Sequence, residues 1–218
     1  YTIPSDGYHE GLINWMGKRH GWEDIQKEWI LWTPGVVAGF SVAIRAFSHP
    51  GDNVIIQPPV YYPFMRQILG TGLQIVENPL KIVDGYYEMD FEDLSEKIND
   101  RTKMVLLCSP HNPVSRVWKR KELDKLAEIC KEKDILIISD EIHNDLILGD
   151  IEHTPTAIVS DDAMQRTVTL IAPSKTFNLA GLTNANAIIP NKKLRDTYNA
   201  ELRKASGHSN IFGMVAQD

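Results

Sequence analysis

Short apolar, β-branched runs recur along this chain, and amphipathic stretches fill the intervals between them. Val54-Ile55-Ile56, Gln74-Ile75-Val76, Met104 to Leu107, Ile135 to Ile138, Val168 to Ile171 and Ala187-Ile188-Ile189 read as strands. Helices are expected over Gly7 to His20, Val37 to Ser48, Tyr62 to Leu69, Phe91 to Ile98, Lys119 to Lys133 and Lys192 to Lys204. Within Lys119 to Lys133, Leu123, Leu126, Ala127 and Cys130 form one stripe, with Glu and Lys on the other face. A further helix pattern starts in Gly207 to Asp218. Strands that are apolar throughout, rather than alternating, predict a sheet covered on both faces, with the helices as crossovers. The expected fold is α/β, a three-layer α/β/α sandwich around a mostly parallel sheet. Pro58-Pro59 and Asp84-Gly85-Tyr86-Tyr87 read as loops inside one domain.

Composition narrows the function class. The 218 residues are 43% hydrophobic, enough to bury one sizeable core. Basic residues number 23 against 29 acidic ones, a formal charge of −6 with no block of like charge. That balance argues against a nucleic-acid or polybasic membrane surface and favours small-molecule chemistry. No membrane-length apolar run and no leader pattern appear, so the expected compartment is the cytoplasm. The two cysteines, Cys108 and Cys130, sit in apolar settings and read as free buried thiols. The chain opens on Tyr1 and stops inside a helical pattern, so it reads as a piece of a longer protein.

Ligands of parallel sheets gather at the carboxyl ends of the strands, and three polar clusters follow three of these strands. Cys108-Ser109-Pro110-His111-Asn112-Pro113 follows the first, Ser139-Asp140-Glu141-Ile142-His143 the second, and Pro173-Ser174-Lys175-Thr176 the third. Taken singly, each has an ordinary reading as a turn, a helix cap or a solvated charge. Together they supply what a pyridoxal ring needs. Lys175 is an amine nucleophile, and Asp140 a carboxylate to hold the pyridine nitrogen protonated. Asn112 and His143 offer N–H donors for the 3′-oxygen, and Tyr61 an aromatic cover for one ring face. Thr33-Pro34-Gly35-Val36-Val37 precedes a long apolar helix whose first amides suit a phosphate, and Ser174 and Thr176 add hydroxyls. The same acidic cluster has a metal reading through Asp140, Glu141, His143 and Asp145, but its spacing matches no known ligand pattern.

The set Thr33-Pro34-Gly35-Val36-Val37, Pro59-Val60-Tyr61, Pro110-His111-Asn112-Pro113-Val114, Ser139-Asp140-Glu141-Ile142-His143 and Ser174-Lys175-Thr176-Phe177-Asn178-Leu179-Ala180-Gly181-Leu182 resembles the fold-type I, class I/II pyridoxal-phosphate aminotransferases. His143 and the wording around Lys175 look most like the cystathionine β-lyase, or carbon–sulfur lyase, branch. The resemblance implies that residues 1–218 are the large domain that binds pyridoxal 5′-phosphate, with an N-terminal segment and a C-terminal small domain outside it. It makes Lys175 the Schiff-base lysine, Asp140 the partner of the pyridine nitrogen, Asn112 a donor to the 3′-oxygen and Tyr61 the stacking ring. Val36 and Val37 would lend amides to the phosphate. Tyr1 matches a tyrosine that reaches the neighbouring subunit's phosphate, which implies a homodimer with shared sites.

Three positions depart from the aminotransferase pattern. Ala172 and Thr183 replace a serine and an arginine that serve the phosphate, and Ser115 replaces a glycine, at a cost in strain if φ is positive. The substrate-carboxylate arginine is expected beyond Asp218. The implied reaction is β-elimination from a sulfur-containing amino acid, releasing a thiol, pyruvate and ammonia. Amino transfer is the alternative, and a cofactor-binding domain without turnover is the reading from another class.

Overall fold

The computed structural model describes residues 4–205 and 210–218. In chain order its main elements are α1 (Asp6–His20), β1 (Ile30–Thr33), α2 (Val36–Phe47), β2 (Asn53–Ile56), α3 (Pro63–Gly70), β3 (Gln74–Glu77), β4 (Lys81–Val83), β5 (Tyr86–Glu88) and α4 (Phe91–Lys97). There follow β6 (Thr102–Cys108), α5 (Arg120–Glu132), β7 (Leu136–Asp140), α6 (Asp161–Arg166), β8 (Thr167–Ile171), β9 (Ala185–Ile188), α7 (Lys192–Ala205) and α8 (Ile211–Val215).

Seven strands form one sheet in the order β1-β9-β8-β7-β6-β2-β3. Only β9 runs against the rest, antiparallel to both β8 and β1. The apolar runs have a direct cause in the pleat, which turns successive side chains to opposite faces. Val54, Ile56, Met104, Leu106, Cys108 and Ile138 join one core with Val36, Phe40, Ile44 of α2 and Tyr198 of α7. Their neighbours Ile55, Val105, Leu107 and Ile137 join a second core with Leu94 of α4 and Leu123, Leu126 and Cys130 of α5. A third cluster packs Leu12 and Met16 of α1 against Ile30, Ile171 and Ile188 at the β1 edge. The sandwich therefore has three layers, as the unbroken apolar strands require.

Local chemistry sets the helix ends. Ser5 caps α1 by accepting the Tyr8 N–H, and Gly21 closes it in a left-handed conformation at φ 68°. The Glu122 carboxylate accepts the Lys119 N–H at 2.8 Å and so caps α5. Gly39 lets α2 lie close on the sheet, because a Cβ there would meet the Leu170 side chain at 2.7 Å. Among the described residues no helix is long and apolar enough to cross a membrane.

Besides the short helix α6, which the sequence reading did not expect, two features of the strands differ from it. Ile30–Thr33 forms an edge strand, β1, that pairs only with β9. The segment expected to be a plain loop around Asp84-Gly85 is instead a two-residue turn joining β4 to β5, with Val83 opposite Tyr86. Asp84 and Gly85 take φ of 50° and 82°, the paired left-handed conformation that such a turn demands.

Candidate active site

All the parallel strands point their carboxyl ends to one rim, and their loops enclose a cavity of about 220 Å³. Val36 and Val37 reach it from the start of α2, Tyr61 from the loop after β2, and Asn112 from the loop after β6. Asp140 and His143 enter from the end of β7, and Ser174 and Lys175 from the turn after β8. Eight of the nine residues to which the family resemblance and the strand-end clusters assign cofactor contacts, Thr176 aside, thus line a single space. The ninth, Tyr1, lies outside the described residues. The sequence reading missed Cys108, Ile142 and Asn184, which complete the wall.

Electrostatics distinguish the members. Asp140 is buried, and among the described residues its carboxylate accepts one hydrogen bond, from the Ile142 N–H at 3.2 Å. Burial pushes its carboxyl up to about 7, against the opposing pull of that N–H and of the Lys175 charge. Burial, then the Lys175 charge, holds His143 below the ordinary imidazole value, so it is neutral at pH 7 with one N–H to donate. Burial also raises the Tyr61 phenol, with Asp140 adding to the shift, and keeps Tyr61 an uncharged ring. Cys108 is a free thiol whose pKa burial pushes far up, which removes it as a nucleophile.

Backbone geometry holds the walls in place. His111 Nε2 meets the Pro59 carbonyl at 2.9 Å and ties the loop after β6 to the loop after β2. Burial pulls that imidazole down to about 4, so it is the neutral ring that donates. Ser115 has φ 57°, the positive value that the glycine it replaces would take without strain. Gly35 caps α2 with no side chain, which leaves the first amides of a 12-residue helix directed at the cavity rim. Thr183 lines the cavity where the aminotransferase pattern has arginine, so no guanidinium reaches this end from that position.

The polar cluster after β7 does not converge on one point. Glu141 turns to the opposite side and meets His153 Nε2 at 2.8 Å, the Ser139 hydroxyl at 2.8 Å and the Thr156 N–H at 2.9 Å. Burial would raise this carboxyl, but His153 and those donors hold it low. Asp145 accepts from Trp15, Arg19, His20 and Thr176. The Thr176 hydroxyl, expected near the cofactor phosphate, is therefore spent on Asp145 and does not line the cavity. Among the described residues no three side chains of His, Cys, Asp or Glu gather as a metal site. An adjoining cavity of about 280 Å³, between α1 and residues 216–218, is lined by two acidic residues, Asp145, whose oxygens are already hydrogen-bonded, and Asp218, which accepts from the Ser5 hydroxyl.

Comparison with known proteins agrees with this geometry. Residues 3–216 match the family model for aminotransferase class I and II. The chain is 45% identical over 218 residues to cystathionine beta-lyase PatB of Bacillus subtilis (strain 168), covering 99% of this chain and 56% of the relative. Cystalysin from Treponema denticola, whose crystal structure contains a pyridoxal 5′-phosphate cofactor, superposes with a TM-score of 0.96 at 42% identity, covering 99% of this chain and 55% of that one. A PLP-bound putative aminotransferase from Clostridium difficile 630 superposes with a TM-score of 0.95 at 39% identity, covering 100% and 56%. The chain spans about half the length of the relatives it matches.

Proposed function

Since the chain belongs to the aminotransferase class I and II family, we propose that the cavity binds pyridoxal 5′-phosphate and that the protein is a carbon–sulfur β-lyase. The observation that carries this reading is the pairing, in one 220 Å³ cavity, of a buried carboxylate with a single hydrogen bond and a lysine amine. This buried acid is pushed up to about 7 even against the pull of the Lys175 charge, and a protonated pyridine nitrogen would supply the closer cationic partner. The uncapped start of α2 suits a phosphate for the same kind of reason: its amides have no side-chain acceptor.

Bound there, pyridoxal phosphate supplies an electron sink for charge developed at the α-carbon of an amino acid. Lys175 would hold it covalently through Nζ and, once displaced by the substrate amine, take the α-proton as general base. Asp140 would keep the ring nitrogen protonated. Asn112 and His143 would donate to the ring oxygen, Tyr61 would cover one face, and Val36, Val37 and Ser174 would hold the phosphate. A Cβ–S bond in the substrate then breaks, the thiol leaves, and water converts the three-carbon remainder to pyruvate and ammonia.

The lyase reading is supported by the relatives named as cystathionine beta-lyase and by Ala172 and Thr183, which depart from the aminotransferase pattern. Amino transfer is the second reading, favoured by the Clostridium difficile neighbour. Pyruvate released from cystathionine by the full-length protein, with no second oxo acid added, separates the two. The functional unit is proposed as a homodimer with Tyr1 completing the neighbour's site. Borohydride reduction after adding pyridoxal phosphate should label Lys175 in a peptide map, and Lys175→Ala should abolish the label. Label on another lysine would refute the assignment.

A further inference from the structure

One buried carboxylate fastens the turn that carries Lys175 from outside the 220 Å³ cavity. Asp145 lies five positions beyond Asp140, with a side chain only 6% exposed. It accepts the Trp15 Nε1–H at 3.1 Å to each oxygen, the Arg19 Nε–H at 2.9 Å and His20 Nε2 at 2.9 Å. All three donors come from the last two turns of α1. Its remaining bond reaches the other way, to the Thr176 hydroxyl at 2.7 Å, and Thr176 is the residue next to Lys175.

A second contact ties the same turn to the same helix. Trp15 packs edge-on against Phe177 with ring centroids 5.3 Å apart. The turn is closed by the Phe177 N–H on the Pro173 carbonyl at 2.9 Å and the Leu179 N–H on the Ser174 carbonyl at 3.0 Å. Thr176 and Phe177 are thus both fastened on the α1 side. Of the residues in the turn, Ser174 and Lys175 line the 220 Å³ cavity, whereas Phe177 lines the other cavity, beside Trp15 and Asp145. Burial works to raise the Asp145 carboxyl, yet the bonds from His20 and Thr176 hold it down at about 2, so it stays an anion throughout the working pH range.

We propose that Asp145 is a positioning residue that, through Thr176, sets the direction in which the Lys175 amine is presented to the cavity. The inference rests on the cofactor reading given above. A charge-assisted hydrogen bond is short and directional, and an error of about 1 Å in placing a reacting group can lower a rate by roughly a hundredfold. Losing the bond to Thr176 while keeping the fold should therefore slow capture of the cofactor aldehyde by Lys175.

The test uses the full-length protein, first freed of cofactor and then mixed with pyridoxal phosphate. Borohydride is added at timed intervals, and label on Lys175 is quantified by peptide mass spectrometry. Visible circular dichroism of the bound cofactor is recorded in parallel. Asp145→Asn and Thr176→Val are expected to slow labelling of Lys175 by about tenfold or more and to change the dichroic band. Thr176→Ser, which keeps the hydroxyl, should restore both. Thr176 sits on a partly exposed turn, so its variants keep the inference open to refutation even if Asp145→Asn fails to fold. Equal rates and spectra in unaltered protein, Thr176→Val and Thr176→Ser would overturn the inference while leaving the cofactor reading standing. No label on Lys175 in the unaltered protein would overturn both.

Discussion

Asp140 and Glu141 are adjacent, both are buried, and they behave in opposite ways. Asp140 faces the cavity with one hydrogen bond and is pushed up to about 7. Glu141 faces away, is held by His153, Ser139 and Thr156, and sits below its ordinary value. Burial depth is the same, so the partners decide the titration. The two regions flanking the end of β7 therefore divide the labour. One side leaves a carboxylate with a single hydrogen bond among the described residues, facing the cavity proposed for the cofactor, and the other surrounds its carboxylate with donors and serves the fold.

The sharpest way to break this comparison is to truncate the satisfied side. Glu141→Ala leaves His153 Nε2 and the Thr156 N–H buried without their acceptor and should destabilise the protein by about 3–5 kcal/mol in urea unfolding. A loss below about 1 kcal/mol would show that Glu141 is not the keystone its bonding implies. The unsatisfied side should respond in the other direction. Asp140 binds its proton more tightly folded, at about 7, than unfolded, at roughly 4. Its contribution to stability in cofactor-free protein is thus complete below about pH 4 and fades as pH rises through about 7. Asp140→Asn should flatten that decline and make the cofactor-free protein more stable at pH 8, by on the order of 2 kcal/mol, while weakening retention of pyridoxal phosphate. A melting curve series across pH 5–8 that is unchanged by the substitution would remove the contrast. The smallest effect is expected at Ser115, whose φ of 57° strains the turn beside Asn112. Ser115→Gly should add ~0.5 kcal/mol, the αL penalty relieved less the backbone entropy of glycine, and differential scanning calorimetry would read it as a small rise in Tm.

Much of this was legible in the residues, for identifiable reasons. The runs at Val54, Met104, Ile137 and Val168 are apolar at every position because both faces of the sheet are packed, and a double-sided burial pattern survives without knowledge of the partners. Lys175, Asp140 and Asn112 were visible because each follows such a run, and strand ends meet at one rim whatever the strand order. β1 escaped notice because its four residues, Ile30–Thr33, gain strand character only by pairing with β9, some 155 residues later in the chain. The bonds from His153 to Glu141 and from Trp15, Arg19 and His20 to Asp145 are long-range for the same reason, and no local spacing announces them. The β4–β5 turn is different: Asp84-Gly85 between Val83 and Tyr86 is a local hairpin signal, and the flanking strands are only three residues each.

That hairpin offers the experimenter a handle. β4 and β5 pair with each other and with nothing in the seven-stranded sheet, and Ile82, Val83 and Tyr86 stand in solvent. A fluorophore, an affinity tag or a short inserted peptide between Asp84 and Gly85 would ride outside all three packed clusters, where loop tips tolerate additions. From there it can report tumbling or immobilise the molecule on a surface.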